Sequence, residues 1–228
     1  MVIKVELQLM DSPLFWDMTK EEIDSCLACS RSEIIPYEKD QIIFSQHDKP
    51  HKLHVLLEGS VAICNDSVSG KRNIITSIDK AGELFGEVFL FLGKEGYDHY
   101  AQALGPSTVL LIPKEFLYHN CGENCDYHTK LISNLLTILA QKAYYLNRKL
   151  QIMSAGTLRQ KVARVLLQHS DVDGQVSLPM NREEMADFLN VARPSLSREL
   201  MRMQKEGIIT IHKKDIIIND KDAFQEIL

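Results

Sequence analysis

The chain has 228 residues, 45% of them hydrophobic and 25% charged, and its 26 Lys+Arg against 31 Asp+Glu leave a net charge of −5. These proportions exclude a disordered or collagen-like polymer, and the best apolar run, Val88 to Leu92, falls far short of the roughly 18 residues a membrane span needs. The N-terminus lacks the basic head, apolar core and small-residue cleavage site of a signal peptide, so a cytoplasmic protein with no membrane partner is expected, and five cysteines in a reducing compartment argue against a disulfide framework.

In chain order, the first predicted element is a helix over Thr19–Cys29, where Thr19 followed by Glu22 gives a capping-box pattern. A strand over 41–45 follows. Seven of the 11 glycines then fall between residues 59 and 105. They separate β-rich runs at 53–58, 61–65, 74–78, 101–104 and 108–112. Short strands broken by Gly and polar turns read as an antiparallel barrel or sandwich. From about Asn124 to Met153 the texture changes: Gly and Pro disappear and apolar residues recur at three and four. Thirty helical residues make a rod of roughly 45 Å. Its apolar arc is wide enough to cover the β domain on one side and meet a second copy on another, so Ile132, Leu135, Leu139, Leu146 and Leu150 are the expected dimerisation residues. Gly156 precedes another amphipathic helix carrying Leu158, Val162, Val165 and Leu166. The expected domains are therefore residues 1–123, the long helix 124–153, and 154–228.

The segment from Asn181 to Ile218 bears most directly on function. Asn181 precedes Arg182-Glu183-Glu184, an N-cap with Glu at the third helical position. That helix presents Met185, Phe188 and Leu189 on one face and stops at Asn190. After a turn of about three residues, a second helix begins at Pro194, buries Leu196, Leu200 and Met203, and ends at Gly207. Two short helices joined by a tight turn have the layout of a helix-turn-helix. At about 100° per residue, Ser195, Arg198, Arg202 and Lys205 point outward, Ser197 lies on the flank, and Arg193 stands at the N-terminal end. From Arg193 to Lys205 the charge is +3. Arginine near the N-terminal end suits bidentate contact with guanine, and the serines and distal cations suit phosphates. The hairpin that follows, 208–211 and 216–218, carries Lys213 and Lys214 at its tip, where a wing would touch the adjacent backbone. The acidic balance of the whole chain does not weigh against DNA once it is divided by region. Residues 1–150 hold 15 Lys+Arg and 20 Asp+Glu, whereas residues 151–228 hold 11 of each.

Four segments, in this order, resemble the Crp/Fnr family of bacterial transcription regulators over nearly the whole chain: Leu57-Glu58-Gly59-Ser60-Val61, Gly82-Glu83-Leu84-Phe85-Gly86-Glu87, Leu131-Ile132-Ser133-Asn134-Leu135-Leu136, and Ala192-Arg193-Pro194-Ser195-Leu196-Ser197-Arg198-Glu199-Leu200. The resemblance implies an α+β fold: an N-terminal antiparallel β-roll of jelly-roll type, a long dimerisation helix, and a C-terminal winged helix-turn-helix. It also implies a homodimer that binds a palindromic operator in double-stranded DNA and, if it activates, contacts RNA polymerase. Positions matching Arg193, Ser197 and Arg198 read the operator in the family. Where members often carry Glu this chain has Pro194, which puts its base preference in question.

The same resemblance marks Gly86, Glu87, Val88, Tyr97, Asp98 and His99 as the effector-binding positions. Cyclic-nucleotide-binding relatives place an Arg-Ser or Arg-Thr pair where this chain has Tyr97-Asp98. A phosphate in a partly buried pocket needs a cation or several donors, so cyclic AMP is not expected; a different small molecule is. Cys26 and Cys29 form a C-x-x-C, and Cys121, Cys125 and His128 have helical spacing. An iron–sulfur cluster needs four thiolates of compatible geometry, and this arrangement gives no clean set. Most of the cysteines read as small buried apolar residues, with Cys121 and Cys125 the candidates for a thiol sensor. Neither a metal nor any other cofactor is expected. Haem through His119 or His128 has only lone histidines to support it. No nucleophile triad, carboxylate pair or phosphate loop suggests an enzyme. The competing function is a ligand-binding module that acts through protein contacts rather than DNA.

Overall fold

The computed structural model describes residues 8–67, 70, 72–118, 125–212 and 215–228, the side chains of 221–223 excepted. It comprises two compact units, Met1–Ala140 and Gln141–Leu228.

In the first unit a 3-10 turn, Pro13–Phe15, leads into helix α1 (Lys20–Ser30). The capping box forms as expected: Glu22 N–H donates to Thr19 Oγ1 at 3.2 Å, and Thr19 N–H donates to Glu22 Oε2 at 2.8 Å. The strands are β1 (Glu33–Tyr37), β2 (Ile42–Phe44), β3 (Lys52–Glu58), β4 (Val61–Asp66), β5 (Arg72–Ile78), β6 (Leu84–Phe85), β7 (Tyr100–Ala103) and β8 (Ser107–Pro113). They pair antiparallel in two sheets, ordered β1-β8-β3-β6 and β2-β7-β4-β5. Chain neighbours repeatedly fall in different sheets, which is how a roll is wound.

Strands β3 and β8 are buried on both faces. Leu53, Val55 and Leu57 of β3, with Leu110 and Ile112 of β8, join Leu14, Phe15, Ile23, Leu131 and Leu135 in one apolar cluster. Leu56, Val109 and Leu111 turn to the other side and meet Val61, Ile63 and Ala101 of the second sheet. Alternation by two thus serves two cores at once, and so these strands read as continuous apolar runs. Gly59 at the β3–β4 turn has φ +94°, and a Cβ there would lie 2.3 Å from Ser107 Oγ and 2.4 Å from the Pro106 carbonyl oxygen. No other residue fits.

Short helices α2 (Glu87–Phe91) and α3 (Lys114–Tyr118) precede the long helix α4 (Asp126–Met153). The first half of α4 belongs to the first unit, where Leu131 and Leu135 enter the core. Asn134 Nδ2 there donates to the Leu14 and Trp16 carbonyls at 3.1 and 2.7 Å. The second unit holds the rest of α4, then α5 (Leu158–Gln168), β9 (Gln175–Val176), α6 (Arg182–Phe188), α7 (Arg193–Lys205), β10 (Ile209–His212), β11 (Asp215–Ile218) and α8 (Lys221–Ile227). Its sheet runs β10-β11-β9. Val162, Leu166, Met185, Leu196, Leu200, Met203, Ile209 and Phe224 make one buried core.

The α+β class and the order of strand domain, long helix and helix-turn-helix agree with the sequence. Elements β1, β6, α2, α3, β9 and α8 were not foreseen. β1 contains Pro36, which breaks a strand pattern, yet β1 is the edge of its sheet, where a missing N–H is tolerated.

Candidate functional site

Helices α6 and α7 are set by short-range signals. Asn181 Oδ1 accepts the Glu183 and Glu184 N–H groups at 2.8 and 3.1 Å, and Glu184 Oε2 accepts the Asn181 N–H at 2.7 Å. Asn190, at φ +53°, turns the chain after α6, and Pro194 sits in the first turn of α7. Met185, Leu189, Leu196, Leu200 and Met203 are all at most 2% exposed. They fix the two helices against each other and thereby determine which side of α7 faces out.

Arg193, Ser197, Arg198, Arg202 and Lys205 are exposed on α7. Ser195 is half-buried, so the two serines reverse the order that helical spacing suggests. Ser195 lies in the first turn under the Arg198 side chain, whose Nη2 is 3.4 Å from its Oγ, while Arg198 Nε donates to the Pro194 carbonyl at 3.3 Å. Arg193 lies 3.7 Å from Glu183, and Arg202 lies 3.1 Å from Glu206; both arginines keep well over half their side-chain surface in solvent.

The acids beside this face are held from behind. Arg159 of α5 donates from Nε to Glu199 Oε1 at 2.6 Å and from its two terminal nitrogens to both carboxylate oxygens of Glu206, at 2.6 and 3.0 Å. These bonds hold the Arg159 guanidinium above its ordinary pKa, with Glu206 the larger cause, and hold the Glu206 carboxyl below the usual range. Glu206 is shared between Arg159 and Arg202, so Glu199 is the acid that Arg159 withdraws from the outward face.

Sequence reasoning overlooked Arg182. Its Nη1 is buried with no hydrogen-bond partner among the described residues, and burial lowers the guanidinium pKa. With Asn181 and Arg193 it lines a cleft of about 540 Å³ beside the start of α6. The available signal was an arginine directly after an N-cap asparagine on the first helix of the pair. In the hairpin, β10 and β11 pair from Ile209↔Ile218 to His212↔Asp215. Lys213 and Lys214 lie outside the described residues.

Of the candidate dimerisation residues, Leu135 is 3% exposed and taken up in the core of its own chain, so it does not lie on an available face. An apolar stripe alone could not distinguish that use from an interchain one. Ile132 and Leu139 are half-buried, while Leu146 and Leu150 are 57% and 66% exposed. Leu136, Tyr144 and Tyr145, which were not foreseen, are also more than half exposed.

The candidate effector residues separate into two groups. Gly86 (φ +71°), Tyr97 and His99 come together around two phenylalanines. The Tyr97 ring stacks on Phe44 at 3.9 Å, and His99 meets Phe89 edge-on at 4.8 Å. A Cβ on Gly86 would press on the Phe44 and Tyr97 rings at 3.1 and 3.2 Å. Burial pushes the Tyr97 phenol up to about 12 and lowers His99. Glu87 is buried at the start of α2, whereas Val88 and Asp98 face solvent. His54, also missed, lies 5.1 Å from Phe44 and 5.2 Å from Phe85, and with Asp48, Lys49, His51 and Tyr97 it lines a cavity of about 290 Å³.

Cys121 and His119 lie outside the described residues. Cys125 is half-buried, and the proximity of its sulfur, then burial, then the Cys29 sulfur hold the Tyr127 phenol above the ordinary range. Cys26 and Cys64 are buried, and His128 stacks on Phe116 at 4.4 Å. No His/Cys/Asp/Glu group among the described residues is arranged to hold a metal, and no described helix is long and apolar enough to cross a membrane.

Comparison with known proteins matches both units. The family model described as "Cyclic nucleotide-binding domain" covers residues 34–124, and that described as "Crp-like helix-turn-helix domain" covers residues 160–227. The "Anaerobic regulatory protein" of Pasteurella multocida is 26% identical over 84% of this chain and 70% of its own length. The "Fumarate and nitrate reduction regulatory protein" of Escherichia coli is 25% identical over 84% of this chain and 77% of its own. The "Cyclic AMP receptor protein" of Thermus thermophilus is 24% identical over 95% of this chain and 96% of its own. The crystal structure of Thermus thermophilus catabolite activator protein shares the fold, with a TM-score of 0.51, 23% identity, and coverage of 95% of this chain and 98% of that one.

Proposed function

The chain belongs to the Crp/Fnr family of bacterial transcription regulators, DNA-binding proteins with a cyclic-nucleotide-binding-like sensor domain, and we propose that it works as a homodimer. In this reading each subunit inserts α7 into one half of a palindromic operator, and a small-molecule or redox effector acting on the strand domain sets the affinity. The observation that carries it is the charge division around α7. Four basic side chains are exposed along α7, while Glu199, the one acid of the helix, is tied to Arg159 behind it. Arg193 and Arg198, nearest the N-terminal end, would read base edges. Ser197, Arg202, Lys205 and Arg182 would position the helix on phosphates, with Lys213 and Lys214 at the wing.

Homodimer formation is supported by Leu146 and Leu150, which stand exposed one turn apart on α4. Allostery then needs two arrangements that the effector binds unequally. The effector we propose is not a cyclic nucleotide. At the position where cyclic-nucleotide relatives place a phosphate-binding arginine, Tyr97 is 3% exposed and stacked on Phe44, and it offers an anion no compensating charge. RNA polymerase is the further partner if the protein activates.

The test is selection of duplexes from a random pool by the full-length protein, under reducing and oxidising conditions, with and without a metabolite panel. The expected product is an inverted repeat whose half-sites lie about 34 Å, one helical turn, apart. Enrichment of no sequence under any condition would reject the reading.

A further inference from the structure

The outermost edge of α7 is not uniformly polar. Pro194, Arg198, Met201 and Lys205 follow one another at spacings of four, three and four, so they share a single stripe. That stripe lies opposite the buried Leu196, Leu200 and Met203. Met201 is 52% exposed, and Ser197, Arg198, Arg202 and Lys205 form with it a shallow depression of about 350 Å³. Single exposed apolar side chains are ordinary on protein surfaces; what sets Met201 apart is its place inside a ring of cations. An apolar protein partner covering Met201 would also bury three positive charges at a cost. A major groove satisfies both demands: phosphates flank it, and the C5-methyl of thymine is the apolar group its base edges present.

We propose that Met201 is a specificity-determining residue that packs against the 5-methyl group of one thymine in each operator half-site. The proposal rests on the DNA-binding reading above and adds to it a base identity. Met201 lies three residues, about 4.5 Å of helix rise, beyond Arg198. With base pairs about 3.4 Å apart, the thymine falls within about two base pairs of the position that Arg198 reads. Methionine suits the task because its unbranched, polarizable chain adapts to an irregular surface.

The duplex obtained by selection supplies the probe. Each of its thymines is replaced in turn by deoxyuridine, which removes only the methyl group, and affinities are measured for the wild type, Met201→Ala and Met201→Leu. The position whose preference Arg198→Ala relaxes serves as the reference. Within two base pairs of it, one thymine should weaken wild-type binding on conversion to uracil by about fourfold per half-site, the ratio equivalent to ~0.8 kcal/mol for one buried carbon. Met201→Ala should bind the thymine and uracil duplexes equally, and Met201→Leu should still prefer thymine. A wild type indifferent to every thymine methyl, or a methyl preference that persists in Met201→Ala, overturns the assignment while leaving the regulator reading intact. Failure to select any duplex rejects the regulator reading itself, and the role of Met201 with it.

Discussion

Arg159 of α5 and Glu199 of α7 are joined at 2.6 Å in the second unit, with a quarter or less of either side chain exposed. The contact fastens the recognition helix to the helix behind it and withdraws a carboxylate from the face that carries Arg198 and Arg202. Removing the arginine should therefore act twice. Arg159→Ala should lower the unfolding free energy by about 1 kcal/mol, a modest figure because the network is partly solvated. It should also reduce DNA affinity at low salt, since Glu199 is then uncompensated and Glu206 is left to neutralise Arg202 alone. Arg159→Lys should recover part of the stability but not the forked contact to Glu206. Chemical unfolding alongside salt-dependent binding measures both. DNA affinity unchanged in Arg159→Ala would show that the two acids do not influence the outer face.

Arg198 and Arg202 stand one turn apart and should fail in different ways. Arg198→Ala should cost about 1–3 kcal/mol on the selected duplex and relax the preference at one base pair. Arg202→Ala should weaken binding to specific and random DNA alike and reduce the slope of log affinity against log salt by about 1. Arg182→Ala should resemble Arg202→Ala if Arg182 contacts phosphate. Equal loss of specificity in Arg198→Ala and Arg202→Ala would mean that the division between base and phosphate contacts along α7 is wrong.

Leu146 and Leu150, one turn apart on α4, are exposed by 57% and 66%, and the proposed subunit contact would cover them. The double substitution Leu146→Glu/Leu150→Glu should yield a monomer in sedimentation analysis without loss of helix content. The monomer should bind a full inverted repeat no better than a single half-site. Leu135→Glu should instead unfold the first unit, because Leu135 is buried at 3% in its core. A dimer that survives the Leu146/Leu150 substitutions places the subunit contact elsewhere.

The features legible in the sequence were those with a strong local cause. The capping boxes at Thr19 and Asn181, Pro194 in a first turn, and the apolar runs of β3 and β8 each have a short-range signature that the fold kept. β6 and β9 have two residues each, too few for any period to register. The wide apolar arc of α4 was visible, but its division between Leu135 inside and Leu146 outside depends on where the strand domain ends. At the sensor, the absence of the phosphate-binding pair could be read directly. The stacking of Tyr97 on Phe44, and the approach of His54 to the same ring, could not, because those residues lie on β2, β3 and the loop before β7 and meet only through the winding of the roll. On α7 the helical wheel found the cations and passed over Met201, which adds no charge to the outward face.

His54 supplies the pH prediction. Its ring is 6% exposed among Phe44, Phe85 and Tyr97, and Nδ1 has no hydrogen-bond partner among the described residues. Burial first, then the nearby charges of Lys52 and His51, push its pKa from 6.5 down to about 3. The folded chain therefore keeps His54 neutral where the unfolded chain protonates it. Between about pH 6.5 and pH 3 the unfolded state binds the extra proton, so stability rises with pH in that window and falls on acidification. The limiting slope is about 1.4 kcal/mol per pH unit. Above pH 6.5 both states are neutral at this site and the dependence vanishes. Burial shifts His99 and His169 the same way, so one substitution should flatten the acid limb without abolishing it. His54→Phe, which preserves the ring shape in an aromatic cluster, should leave stability at pH 7.5 near or above that of the wild type and lose visibly less between pH 6 and 5. Thermal unfolding of the two full-length chains across that range decides the matter. Parallel pH profiles would mean that His54 is protonated as readily in the folded chain as in the unfolded one, and that its burial does not set the acid limb.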